Sequence, residues 1–109
     1  MILDKFDIVL VDFPFSNLEK TKKRPVLVIH PLEGENAILC QITTKRRNIQ
    51  KYEIPLPKES CAGNIRFDSF IYVDMIFTLH KSIIYGKIGK VNKLKTQQMI
   101  NQKIKLVLQ

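Results

Sequence analysis

Six short apolar runs, each closed by proline or by a polar turn, restrict this chain to a β-rich fold. The first, Asp7–Phe13 (DIVLVDF), is β-branched and apolar without strict alternation, which predicts a strand buried on much of both faces. Pro14 ends it and a polar loop, Phe15–Lys23, follows. Arg24–His30 (RPVLVIH) reads as the second strand, with Pro25 confined to its first residues because proline cannot donate to a ladder. Pro31–Asn36 reads as a turn, Ala37–Thr43 (AILCQIT) as the third strand and Thr44–Lys51 as a basic loop. Tyr52–Leu56 (YEIPL) is a short edge strand limited by its prolines, and Ser60–Asn64 (SCAGN) a turn. Phe70–Leu79 (FIYVDMIFTL) is a strand region bent near Asp74, and Ile83–Ile88 the last strand. From Asn92, a candidate N-cap, the period changes. Ile100, Ile104, Val107 and Leu108 recur at helical spacing, with Met99 and Leu106 widening the stripe. Short strands with tight turns and one terminal helix of about four turns predict a mainly β fold, a small barrel rather than βαβ units.

With 109 residues, of which 45% are hydrophobic, the chain is expected to form one domain, residues 1–109, around one core. No apolar run approaches the roughly 20 residues needed to span a bilayer, and acids interrupt the opening MILDKFDIVLVDF, so the expectation is a cytoplasmic protein without a membrane partner. Cys40 and Cys61 lie far apart, and His30 and His80 form no metal-binding spacing, so no metal or cofactor is expected. The net charge of +8 points to a polyanionic partner. Its basic residues cluster at Lys20–Arg24, at Lys45, Arg46, Arg47 and Lys51, and along the lysine-rich tail, where no acid follows Asp74. These clusters could converge on one phosphate-binding surface; a solubilising surface is the competing reading, strongest for the tail.

Four segments in order carry a more specific signal: DIVLVDFPF with a polar loop and KKRPVLVI, then QITT at Gln41–Thr44, then DSFIYVDMIFTL at Asp68–Leu79, then IGKV at Ile88–Val91 before a helix. Together they resemble the MazF/PemK family of type II toxin–antitoxin endoribonuclease toxins over nearly the whole chain. The resemblance implies a CcdB/MazF-type fold, a small SH3-like barrel with a C-terminal α-helix. It also implies a homodimer with single-stranded RNA (mRNA) bound in an interface groove, and a cognate antitoxin protein covering the same surface. The implied activity is metal-independent, sequence-specific cleavage (an mRNA interferase), in which the RNA 2′-hydroxyl attacks the adjacent phosphorus to leave a 2′,3′-cyclic phosphate and a 5′-hydroxyl.

Because RNA supplies the nucleophile, the protein must align it, stabilise charge on phosphorus and move two protons. Arg24 matches the family's catalytic arginine, suited to a bidentate grip on phosphate while remaining charged. Thr43 matches its catalytic threonine, and Thr44 stands where the family often has serine. Read without the resemblance, Arg24 is a surface cation and Thr43 a β-branched strand residue. Asp74 aligns with an acidic position of some members and could accept the 2′-hydroxyl proton; turning the strand is the competing role, and Tyr72 departs from the basic residue that some members carry there. Lys22, Lys23, Lys45, Arg46 and Arg47 suit flanking phosphates, and Phe15, or Phe13 if it is not core, suits stacking on an unpaired base. Alternatives left open are a CcdB-like topoisomerase poison, a non-catalytic nucleic-acid-binding barrel and a purely structural or interaction barrel.

Overall fold

Every expected apolar run finds an antiparallel partner. The computed structural model describes residues 2–12 and 23–109. Its strands are β1 (Asp7–Asp12), β2 (Lys23–His30), β3 (Asn36–Thr43), β4 (Glu53–Leu56), β5 (Cys61–Gly63), β6 (Ser69–His80) and β7 (Ile84–Val91), followed by helix α1 (Leu94–Val107). The seven form one curled antiparallel sheet, a half-barrel in the order β4-β6-β3-β2-β1-β7-β5. β4 is an edge strand, which is what allows Pro55 within it.

Side chains along β2 alternate between two apolar layers. Leu27 joins Ile8, Cys40, Ile42, Ile71 and Val73 in an inner core that the helix covers with Ile100. Val26 and Val28 join Val9, Val11 and Leu39 in an outer layer. Both faces of the central strands are therefore buried, as the unbroken β-branched run of β1 requires.

Curvature comes from irregular pairing. Cys40 pairs with Ile76, but the next residue of β3, Gln41, pairs with Tyr72, so Val73, Asp74 and Met75 bulge from β6. This is the bend expected near Asp74. β7 carries two further register shifts against β1, and bulges of this kind increase local twist.

Several boundaries differ from the sequence expectation. Cys61–Gly63, expected within a turn, is strand β5, paired with the far end of β7. Three residues hold too little periodicity to show a strand; the partner supplies the ladder. Gly63 has φ +97°, and a Cβ there would lie 2.6 Å from Gly89 Cα, so the two strands cross glycine on glycine. Ile83 ends a 3₁₀ turn rather than opening β7. Asn92 does not cap the helix: its N–H donates to the Ser60 carbonyl at 2.9 Å, and Lys93 occupies the cap position without a side-chain bond. The Ser60 turn also takes Thr96, whose hydroxyl meets the Ser60 hydroxyl at 3.2 Å. The apolar stripe of α1 is narrower than expected. Met99, Ile100, Ile104 and Val107 pack inward, whereas Leu106 and Leu108 are exposed. No helix among the described residues is long and apolar enough to cross a membrane.

Candidate nucleic-acid interface

The register of β2 on β3 pairs Val26 with Gln41, Leu27 with Cys40 and Val28 with Leu39. Continuing it two residues toward the start of β2 sets Arg24 opposite Thr43. Arg24 precedes Pro25, which holds it extended, and its side chain is exposed at the strand end. Arg24, Pro25, Ile42, Thr43, Thr44 and Ser69 line a cleft of about 150 Å³. Arg24 makes no ion pair or hydrogen bond through its guanidinium among the described residues. Thr43 Oγ1 accepts the Lys45 backbone N–H at 3.1 Å, which leaves its hydroxyl proton to donate into the cleft. Ser69 was not singled out from the sequence; it sits in the DSF segment, at the start of β6, and its hydroxyl donates to the Phe67 carbonyl at 3.3 Å. Among the described residues no carboxylate or histidine lines this cleft. A guanidinium unpaired among the described residues, beside the Thr43 and Thr44 hydroxyls, is a set of donors for an anion.

The basic loop, residues 44–51, is anchored next to this cleft. Phe70 on β6 pairs with Thr43, and the Arg46 guanidinium lies over the Phe70 ring, 5.5 Å from its centroid. Arg46 donates to both carboxylate oxygens of Glu53 at 2.8–3.0 Å. Glu53 is only 5% exposed, and the Arg46 hydrogen bonds hold its carboxyl below the usual range. The fully buried Tyr72 donates its hydroxyl to Glu53 at 2.8 Å and accepts the Arg47 N–H at 2.6 Å. Arg47 stacks on the Tyr72 ring at 4.2 Å and donates to both oxygens of Asp74 at 2.7 Å.

The structure thus brings Arg24, Thr43 and Thr44 together and places Asp74 elsewhere, on the β6 bulge with Arg47. Arg46 and Arg47 carry internal ion pairs, while Lys45 is exposed at the loop's start. Lys23 lies over Tyr85 at 4.2 Å, and Tyr85 in turn donates its hydroxyl to Asp12. Phe13, Phe15 and Lys22 lie outside the described residues. Some tail lysines turn inward: Lys87 pairs with the buried Asp7 at 3.1 Å, and Lys103 donates to the carbonyls of Gln50 and Glu53 at 2.7 Å. Cys40 is buried and its thiol pushed up to about 12, chiefly by that burial and then by the Asp74 charge.

A seven-stranded curled antiparallel sheet with one C-terminal helix defines a MazF-like fold. The chain belongs to the family of PemK-like, MazF-like toxins of type II toxin–antitoxin systems, which it matches over residues 4–108. Among solved structures it resembles an endoribonuclease in complex with its cognate antitoxin from a Mycobacterial species, with TM-score 0.72, 18% identity, and 95% of this chain and 92% of that one covered. It also resembles the Mycobacterium tuberculosis toxin MazF-mt6, with TM-score 0.70, 19% identity, and 90% and 91% covered. No protein of curated function matches the sequence.

Proposed function

We propose that this protein is an endoribonuclease that cleaves single-stranded RNA at the Arg24–Thr43 cleft. The observation that carries the reading is a guanidinium, unpaired among the described residues, that lines one cleft with a hydroxyl whose proton is free to donate. In the proposed reaction the RNA 2′-oxygen forms a bond to the adjacent phosphorus as the P–O5′ bond breaks. The 2′-hydroxyl loses its proton and the departing 5′-oxygen gains one, leaving a 2′,3′-cyclic phosphate and a 5′-hydroxyl. Arg24 neutralises charge on the non-bridging oxygens as the phosphorane forms, and Thr43 donates to one of them. RNA brings its own nucleophile, so neither an enzymic nucleophile nor a metal-bound water is needed. We assign Asp74 to positioning, since both its oxygens hold Arg47.

Family membership and likeness to endoribonucleases support this reading. The antitoxin-bound neighbour supports a cognate antitoxin as the protein partner, and we extend the proposal to a cytoplasmic homodimer with RNA in the groove between copies. The test is a cleavable oligonucleotide carrying a single 2′-deoxy substitution on the 5′ side of the cut. Cleavage there is expected to vanish while other sites are cut as before. Persisting cleavage at the deoxy position would require an external nucleophile and would contradict the proposed chemistry.

A further inference from the structure

Beside the Arg24–Thr43 cleft lies a larger cavity of about 290 Å³. Ile8, Ile42, Leu56 and Ile88 form its apolar floor, and Ile65 and Phe67 form a wall between β5 and β6. Pro25, Ile42, Thr44 and Ser69 line both cavities, so the two adjoin. The wall is held in place. The Asn64 N–H donates to the Ile88 carbonyl at 2.8 Å, Asp68 accepts the Lys58 N–H at 2.9 Å, and the Gly63–Gly89 crossing brings Ile65 against β7. Asn64 and Arg66 stand on the lining, and among the described residues their side chains make no hydrogen bond or ion pair. Phe67 is 68% exposed.

We infer that this cavity is a base-binding subsite for one unstacked nucleobase of the strand whose phosphate lies at Arg24. It rests on the ribonuclease reading only for where that phosphate sits. The volume is at the lower end of the roughly 300–1,000 Å³ usual for small-ligand clefts, the scale of a single planar ring. The apolar floor receives the base, and Phe67 offers the aromatic face on which unpaired bases stack. Asn64 presents both a donor and an acceptor, and Arg66 donors, to the base edge. Bases are recognised in single strands by this combination of ring stacking and edge hydrogen bonds, and Arg66 on the lining with Arg24 in the adjoining cleft favours a nucleotide over an apolar side chain.

The probe is a short 2′-O-methyl oligonucleotide, which has no free nucleophile and reads binding apart from cleavage. A single abasic position is moved along it and affinity measured by fluorescence anisotropy. One position is expected to lower affinity about tenfold, as for loss of one stacked base. That penalty should disappear in Phe67→Ala and shrink in Asn64→Ala, both at exposed positions. If no abasic position matters, or if the penalty is the same in both variants, the inference is overturned. Variants that bind the oligonucleotide as wild type but lose affinity for the antitoxin would overturn it as well, giving the cavity to a protein side chain. RNA that binds with this base dependence yet is never cut would instead remove the ribonuclease reading and leave the subsite standing.

Discussion

At the residue scale, the difference between Arg24 and its two basic neighbours matters most. All three are arginines near the same cleft; by sequence Arg24 takes the catalytic role and Arg46 and Arg47 are left to flanking phosphates. Arg46 is committed to Glu53 and Arg47 to Asp74, so their charge is spent on shaping the loop. The partners were not legible because Glu53 and Asp74 are separated from the arginines by 7 and 27 residues and meet them only once β4 and β6 pair. The strand positions of Arg24 and Thr43 are legible in the sequence because each stands within a motif, RPVLVI or QITT. The Arg46–Glu53 pair has a pH signature. A carboxyl held below its unfolded value of about 4.3 stabilises the fold above that value, and the contribution is lost as pH falls through the lowered folded pKa. The stability gap between wild type and Glu53→Gln, read from urea midpoints, is expected to be largest near about pH 7 and to close as pH falls below the ordinary carboxyl range. A gap independent of pH would contradict the assignment.

Among the secondary-structure elements, strands with β-branched runs were read nearly to the residue, and the β6 bend was visible as an acid within an apolar strand. β5 was not, since two of its three residues are small and its pairing lies in distant β7. Asn92 is a good cap by type, but α1 starts one residue later, with Lys93 at the cap position. Its stripe was drawn too wide because Leu106 and Leu108 match the helical period by type but face water. The helix should therefore respond unevenly to truncation. Ile100→Ala, at a fully buried position, is expected to cost about 2–5 kcal/mol, and Leu106→Ser to stay within about 0.5 kcal/mol, both measured by chemical denaturation. Equal losses would mean that the outward face is covered in solution.

For the whole molecule, the sheet's curl sets the start of β2, the end of β3 and the wall between β5 and β6 around two adjoining cavities. The charge excess of +8 is not spread evenly over this arrangement. Many tail lysines tie down carbonyls or Asp7, whereas Arg24, Lys45 and Arg66 remain unpaired among the described residues near the cavities. The net charge points to a polyanionic partner, but which cations are left to face one depends on pairings that only the fold creates.

The central claim is that Arg24 stabilises charge at a scissile phosphate, and the most direct measurement is cleavage of a long single-stranded RNA by purified, antitoxin-free protein in excess EDTA. Wild type should yield discrete fragments ending in cyclic phosphate. Arg24→Ala, with an unchanged circular-dichroism spectrum and urea midpoint, should cut about 10²–10³-fold more slowly, as expected for loss of one charge-stabilising donor. Cleavage by Arg24→Ala at the wild-type rate would contradict the account.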